Sequence, residues 1–224
     1  MKPRMCLPLV LSALCAAALI AAPAAFAAGS VATGKACYVA KGSEGVDVDV
    51  TGSGFTAGEA VFAQIPAPGG LAGFTETTVN PDGTISATID KVFPEGIEPV
   101  AEKRTMQIKG VLSDQILAEV PFQITNLAVK TIPATASYHK VVTYKFAGFR
   151  PHKPIFGHYF RGGKLVITHK FGKASGPCGL LQAKSKLFPG NGPRNARYKV
   201  QFDDSKKVNP KATPKIVTSL GAVF

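Results

Sequence analysis

The residues of this chain best equipped for chemistry are four histidines, His139, His152, His158 and His169, and two cysteines, Cys37 and Cys178. Their spacing matches no arrangement that makes such side chains catalytic. There is no GxSxG elbow, no GxxxxGK[ST] loop, no HExxH pair, no CxxC and no EF-hand loop. All four histidines lie beyond residue 128, where Asp203 and Asp204 are the only carboxylates. A Ser-His-Asp arrangement there would have to recruit one of those aspartates or reach into the other half of the chain. Cys178 sits in the run SGPCGL between Lys173 and Lys184. Nearby cations lower a thiol's pKa and make it nucleophilic. A cysteine packed after a Gly-Pro turn, or one held in a disulfide, accounts for the same run. Cys37 and Cys178 lie 141 positions apart. In an oxidising compartment they form either one long-range disulfide or two buried thiols, and spacing alone does not decide. The chain is expected to be no enzyme and to carry no cofactor or metal.

A histidine metal site depends on one hairpin. His158 and His169 flank the turn Arg161-Gly162-Gly163. A two-residue Gly-Gly loop would set both imidazoles on one face, and a three-residue loop would set them on opposite faces. The second option is favoured because it places Leu165 and Ile167 on the core face with Ile155, Gly157 and Tyr159. It leaves the two histidines apart, with no third ligand.

The elements that position these residues begin after an export signal. Lys2 and Arg4 precede an uncharged, apolar run from Cys6 to Phe26, which closes on Ala25-Phe26-Ala27. A charged start, an apolar middle and a small-residue exit make a secretory signal, with cleavage expected after Ala27. The exported chain then keeps only Cys37 and Cys178, offers no further apolar run long enough to span a bilayer, and is expected to be secreted, outside the cell or associated with the cell envelope. Its charge is divided. Residues 28–127 hold 6 Lys and Arg against 12 Asp and Glu, and residues 128–224 hold 18 against 2.

Alternation supplies the fold class. Val46, Val48 and Val50 alternate with Asp47, Asp49 and Thr51, as in a half-buried strand. Further strands are predicted at 36–41, 60–65, 74–79, 83–89, 104–109 and 117–124. The second half is predicted to hold strands at 126–130, 140–146, 154–160, 164–170, 178–184, 197–203 and 214–223. Turn clusters such as Asn80-Pro81-Asp82-Gly83 separate them. Short strands at this spacing indicate all-β sandwiches. A shift of 94 positions lays residues 46–65 on 140–159, matching Gly54-Phe55 to Gly148-Phe149 and Val61-Phe62 to Ile155-Phe156. The expected organisation is therefore a signal peptide (1–27), an acidic sandwich (28–127) and a basic sandwich (128–224) that repeats it.

The runs GSGFTAGEAV, NPDGTISATI and TMQIKGVLSDQILAEVPFQI resemble bacterial extracellular immunoglobulin-like modules, and the second half resembles a divergent, basic copy. The resemblance implies two tandem immunoglobulin-like sandwiches. It departs from antibody domains in lacking Trp and an intradomain cysteine pair. Fold of this kind names no ligand.

The binding surface is read from charge and alternation together. With Ile155, Gly157 and Tyr159 inward, Phe156, His158 and Phe160 are expected outward among Arg150, Lys153, Arg161 and Lys164. Aromatics among cations suit an anionic glycan, lipid headgroups or an acidic protein. Export argues against a specific nucleic acid. The competing readings are packing of Phe156 and Phe160 against the neighbouring sandwich, attraction between the acidic and basic halves, and pairing of a partner protein with the sandwich edges.

Overall fold

The computed structural model describes residues 29–191 and 197–220. The signal-peptide reading falls on residues outside these. The fold is all-β. In the first half, β1 (Ser30–Thr33), β3 (Val46–Ser53) and β6 (Ile85–Val92) form one sheet in the order β1-β3-β6. The facing sheet joins β2 (Cys37–Ala40), β4 (Ala60–Ala67), β5 (Gly70–Thr78), β7 (Glu102–Gly110) and β8 (Ile116–Asn126) in the order β2-β8-β7-β4-β5. Neighbours are antiparallel except β2 and β8, which run parallel. The alternation seen in the sequence is what buries the core. Val48 and Val50 are fully buried while Asp47 and Asp49 face water, and Val61, Ala63 and Ile65 of β4 share the core with Met106 and Ile108 of β7 and Ile124 of β8 on the facing sheet. Asn80–Gly83 turns as expected, with the Gly83 amide on the Asn80 carbonyl at 2.9 Å. Thr84 donates to Asp82 from both its amide and hydroxyl, which holds that carboxyl below the usual range.

The second half repeats the plan. A sheet of β9 (Ala128–Ile132), β10 (Val141–Ala147) and β13 (Leu181–Lys186), ordered β13-β10-β9, faces one of β11 (Pro154–Arg161), β12 (Lys164–Lys173), β14 (Tyr198–Asp203) and β15 (Ile216–Leu220), ordered β12-β11-β14-β15. This split of strands between the sheets is the immunoglobulin-like order. The 94-position shift holds in space: it carries β4 onto β11 and β3 onto β10. Gly54 and Gly148 both sit in the left-handed region, at φ 83° and 80°, and each sends the following phenylalanine, Phe55 or Phe149, into its core. The core here is aromatic, built from Tyr144, Phe146, Phe149, Tyr159, Phe188, Tyr198 and Phe202.

One residue, Leu127, separates β8 from β9. The halves are also joined by a Cys37–Cys178 disulfide with a Cα–Cα distance of 5.3 Å. Of the two readings of these cysteines, the bonded one is what the structure contains, and the Cys178 sulfur is thereby no free nucleophile. Gly148 belongs to the same junction: a Cβ there would lie 2.8 Å from the Leu127 Cα and 3.1 Å from the Asn126 carbonyl oxygen. Attraction between the oppositely charged halves has little structural counterpart. Among the described residues a single ion pair, Lys130 with Glu98, crosses between them.

Candidate functional site: the outer face of the basic sheet

The sheet β12-β11-β14-β15 presents one face to the aromatic core and the other outward. Its registers place side chains in rows across the outer face. Thr168, His158, Gln201 and Val217 form one row, and Leu165, Phe160, Lys199 and Ser219 the next. The strand faces follow the expected alternation, since Ile155, Gly157 and Tyr159 all point inward and are buried.

The outward direction did not bring exposure. Phe156 is 9% exposed and His158 0%, which corrects the expectation that both lie on a solvent face. The cause is a third layer. The segment 204–215 folds back over this end of the sheet, and a buried polar cluster ties it down. His158 Nε2 faces two acceptors, the Ser205 carbonyl at 3.0 Å and Asp203 Oδ1 at 3.3 Å, so it carries a proton and donates. His158 Nδ1 meets the Thr168 hydroxyl at 2.9 Å. Asp203, also 0% exposed, accepts the Ser205 amide at 2.8 Å and the Gln201 amide at 2.6 Å. Gln201 donates further to the Asn209 carbonyl at 2.9 Å. Burial of so many polar groups is tolerable because they satisfy one another. Arg150 reinforces the start of the segment, its guanidinium 3.3 Å from Asp204. A hydroxyl, an imidazole and a carboxylate do stand in relay order here, and Asp203 is the carboxylate the sequence pointed to. Both carboxylate oxygens and the imidazole are engaged in closing the segment over the sheet, so the cluster acts as a clamp.

The hairpin is also a correction. Its loop is the two-residue Gly162-Gly163, since Arg161 pairs with Lys164. A β-bulge between Tyr159 and Phe160 then shifts the register, so that His158 pairs with Thr168 and Gly157 with His169. The histidines end on opposite faces through the bulge rather than through a longer loop. His169 points towards β13, with Nε2 3.1 Å from the Ser185 hydroxyl, and burial lowers its pKa.

Beyond the clamp the outer face opens into a hollow of about 400 Å³. Half-buried Phe160 and exposed Val217 contribute apolar surface, Gly162 and Gly163 form a rim, and Arg197, Lys199, Gln201 and Ser219 contribute polar groups. Gln201 uses its amide nitrogen inside the clamp, which leaves its carbonyl oxygen as an acceptor. Arg161 and Lys164 flank the rim and are exposed. Of the seven residues expected to form one surface, the structure gathers Phe160, Arg161 and Lys164 at the hollow. Arg150 and Lys153 are exposed at the other end of β11, about 23 Å away by strand rise. The residues missed were Val217 and Ser219, whose position on a neighbouring strand no local pattern announces. Lys199 lies on the outer side of β14, with Arg197 just before it, while Gln201 and Asp203 on that side are buried by the clamp.

No helix among the described residues is long and apolar enough to cross a membrane, and no three metal-ligating side chains among them converge. No protein-family model matches the chain, and no curated protein does. Solved structures with a similar arrangement include an ICAM-5 ectodomain fragment, at 9% identity and TM-score 0.32, covering 85% of this chain and 49% of that one. A tetra-tandem repeat from the extending region of a large adhesion protein matches at 13% identity and TM-score 0.29, covering 87% of this chain and 49% of that one. A marsupial T cell receptor matches at 7% and 0.30, covering 87% and 99%. The chain thus spans about half the length of the first two. The immunoglobulin-like assignment itself rests on the strand order of the two sandwiches.

Proposed function

We propose that this chain is an exported, non-catalytic binding module in two units, residues 28–127 and 128–224, whose basic unit grips an anionic glycan at the hollow beside the Gly162-Gly163 hairpin. The observation that carries the reading is the convergence of Phe160, Arg197 and Lys199 on one concave surface, with Arg161 and Lys164 at its rim. An aromatic floor suits the face of a sugar ring, and cations around it suit carboxylate or sulfate groups. A concave site of this shape favours a polymer chain over the flat surface of a bilayer. The charge is available to a partner: of the Lys and Arg described in residues 128–224, two, Lys130 and Arg150, are ion-paired to a carboxylate. The mature chain is taken to begin after Ala27, outside the cell, with any envelope association arising from that ligand.

Binding to a sulfated glycan and to anionic lipid vesicles, each followed as salt is raised, tests the reading. Glycan binding should weaken with salt and fall about tenfold in Phe160→Ala. Equal binding by wild type and Phe160→Ala would refute the site. Vesicle binding stronger than glycan binding would favour a membrane surface instead.

A further inference from the structure

The covered row of the second sandwich has a bare counterpart in the first. Gln64 on β4 pairs with Phe74 on β5 and with Gln107 on β7, and Gln107 pairs with Glu119 on β8. The 94-position shift carries Phe74, Gln64 and Gln107 onto Thr168, His158 and Gln201. Glu119 stands beside Gln107 where Val217 stands beside Gln201. In the second sandwich this row holds a chain. His158 and Gln201 donate to the carbonyls of Ser205 and Asn209, at 3.0 and 2.9 Å, and so seat the lysine-bearing segment 204–215 on the sheet.

The connection that supplies this cover is short in the first sandwich. Residues 111–115 close a tight turn between β7 and β8, with the Asp114 amide on the Gly110 carbonyl and the Lys109 ammonium on the Asp114 carboxylate. Lys109 is the counterpart of Asp203, so the residue that anchors the clamp is replaced by one that ties the turn. The row is left open. Phe74 is 60% exposed and meets Phe62 edge to face at 6.1 Å. The Gln64 amide donates to the Gln107 carbonyl oxygen at 3.2 Å, and the Gln107 amide to Glu119 at 3.4 Å. Each amide nitrogen has a second hydrogen to give. Past Gln107 and Glu119 the face sinks into a hollow of about 580 Å³, with Pro66, Pro68 and Thr105 among its walls.

We propose that the row Phe74, Gln64, Gln107 and Glu119 is a docking site for an extended, lysine-bearing segment of a partner protein, seated as 204–215 is seated on the second sandwich. The spare amide hydrogens of Gln64 and Gln107 donate to its backbone carbonyls. Phe74 and the two prolines take its apolar groups, and exposed Glu76 and Glu119 face its ammonium groups. The surrounding charge sets the sign of the partner, since residues 28–127 carry 6 Lys and Arg against 12 Asp and Glu. The chain's own segment 204–215 is held by the clamp and is not the occupant.

The probe is a labelled synthetic peptide with the sequence of residues 204–215, titrated into the full exported chain and followed by fluorescence anisotropy. Glu119→Lys should weaken its binding about tenfold or more, and Phe74→Ala should weaken it severalfold. Asp90→Lys makes the same charge change at an exposed position on the opposite sheet, and should leave binding within about twofold of wild type. The side-chain amide resonances of Gln64 and Gln107 should shift on titration. Equal losses in Glu119→Lys and Asp90→Lys, unmoved Gln64 and Gln107 resonances, or no binding would overturn the site. Shifts at His158 and Gln201 alone would put the peptide on the second sandwich and refute it as well. Self-association of the chain without peptide, abolished by Glu119→Lys, would make a second copy the occupant and refute the partner. The site shares no residue with the glycan hollow, so its failure leaves the glycan reading to its own test.

Discussion

The two sandwiches share a strand plan and differ in what surrounds it. The first has a largely aliphatic core, an acidic surface and a final strand whose end, Gln123–Asn126, is paired by β2. The second has an aromatic core, a basic surface and a clamped segment lying over part of its outer face. The shared features are those that bury apolar surface: the sheet order, the left-handed glycine and the phenylalanine after it. The differing features include the core side chains, aliphatic in one and aromatic in the other, and the segment clamped over the four-stranded sheet.

The largest expected effect concerns the link between the two. Replacing both Cys37 and Cys178 with Ala removes a crosslink closing 141 residues, which the chain-entropy model values at about 4–5 kcal/mol. Calorimetry of the variant should resolve two transitions, one per sandwich. A single transition at unchanged temperature would mean that the halves do not fold as separate units.

The clamp comes next, because it exists only in the second sandwich. Asp203→Ala strips acceptors from His158, Gln201 and the Ser205 amide in a buried site, and should cost about 3–5 kcal/mol. Proteolysis within 204–215 should accelerate in that variant. Stability loss below about 1 kcal/mol would show that the cluster does not hold the segment. Tyr198 offers a smaller effect of opposite sign. Its hydroxyl is buried without a hydrogen-bond partner, so Tyr198→Phe should be neutral or stabilise by up to about 1 kcal/mol in denaturant unfolding.

The smallest effect is on pH dependence. Burial lowers the pKa of His169, so the unfolded chain binds a proton more readily than the folded one. That contribution is complete above the unfolded value near 6.5 and declines as pH falls from there towards the folded value. His169→Gln should flatten the stability profile over that range. An unaltered slope would remove His169 as its source.

Strand positions were legible because burial on one face imposes alternation. Val48 and Val50 announced β3, and Phe149 after Gly148 announced the corner that repeats Gly54-Phe55. Cys37 and Cys178 were visible as a pair, but their approach depends on how the sandwiches meet at Leu127, which no local pattern encodes. The outer face was misread at Phe156 and His158 for a related reason. Alternation says which way a side chain points and is silent on a third layer laid over that side. The available hint was compositional: Asp203 is one of two carboxylates in a half with 18 cations, two positions from Gln201 on one strand face. The hairpin needed the bulge at 159–160, which adds a residue that no count of loop length reveals.

Under the proposed function a defined surface, and not bulk charge, makes the second sandwich a binding unit. Two double variants with identical charge change decide it, Arg197→Glu with Lys199→Glu at the hollow and Lys206→Glu with Lys207→Glu on the exposed segment away from it. Affinity for a sulfated glycan at fixed salt should fall about tenfold or more in the first and stay within about twofold of wild type in the second. Equal losses in the two would contradict the site and leave only net charge.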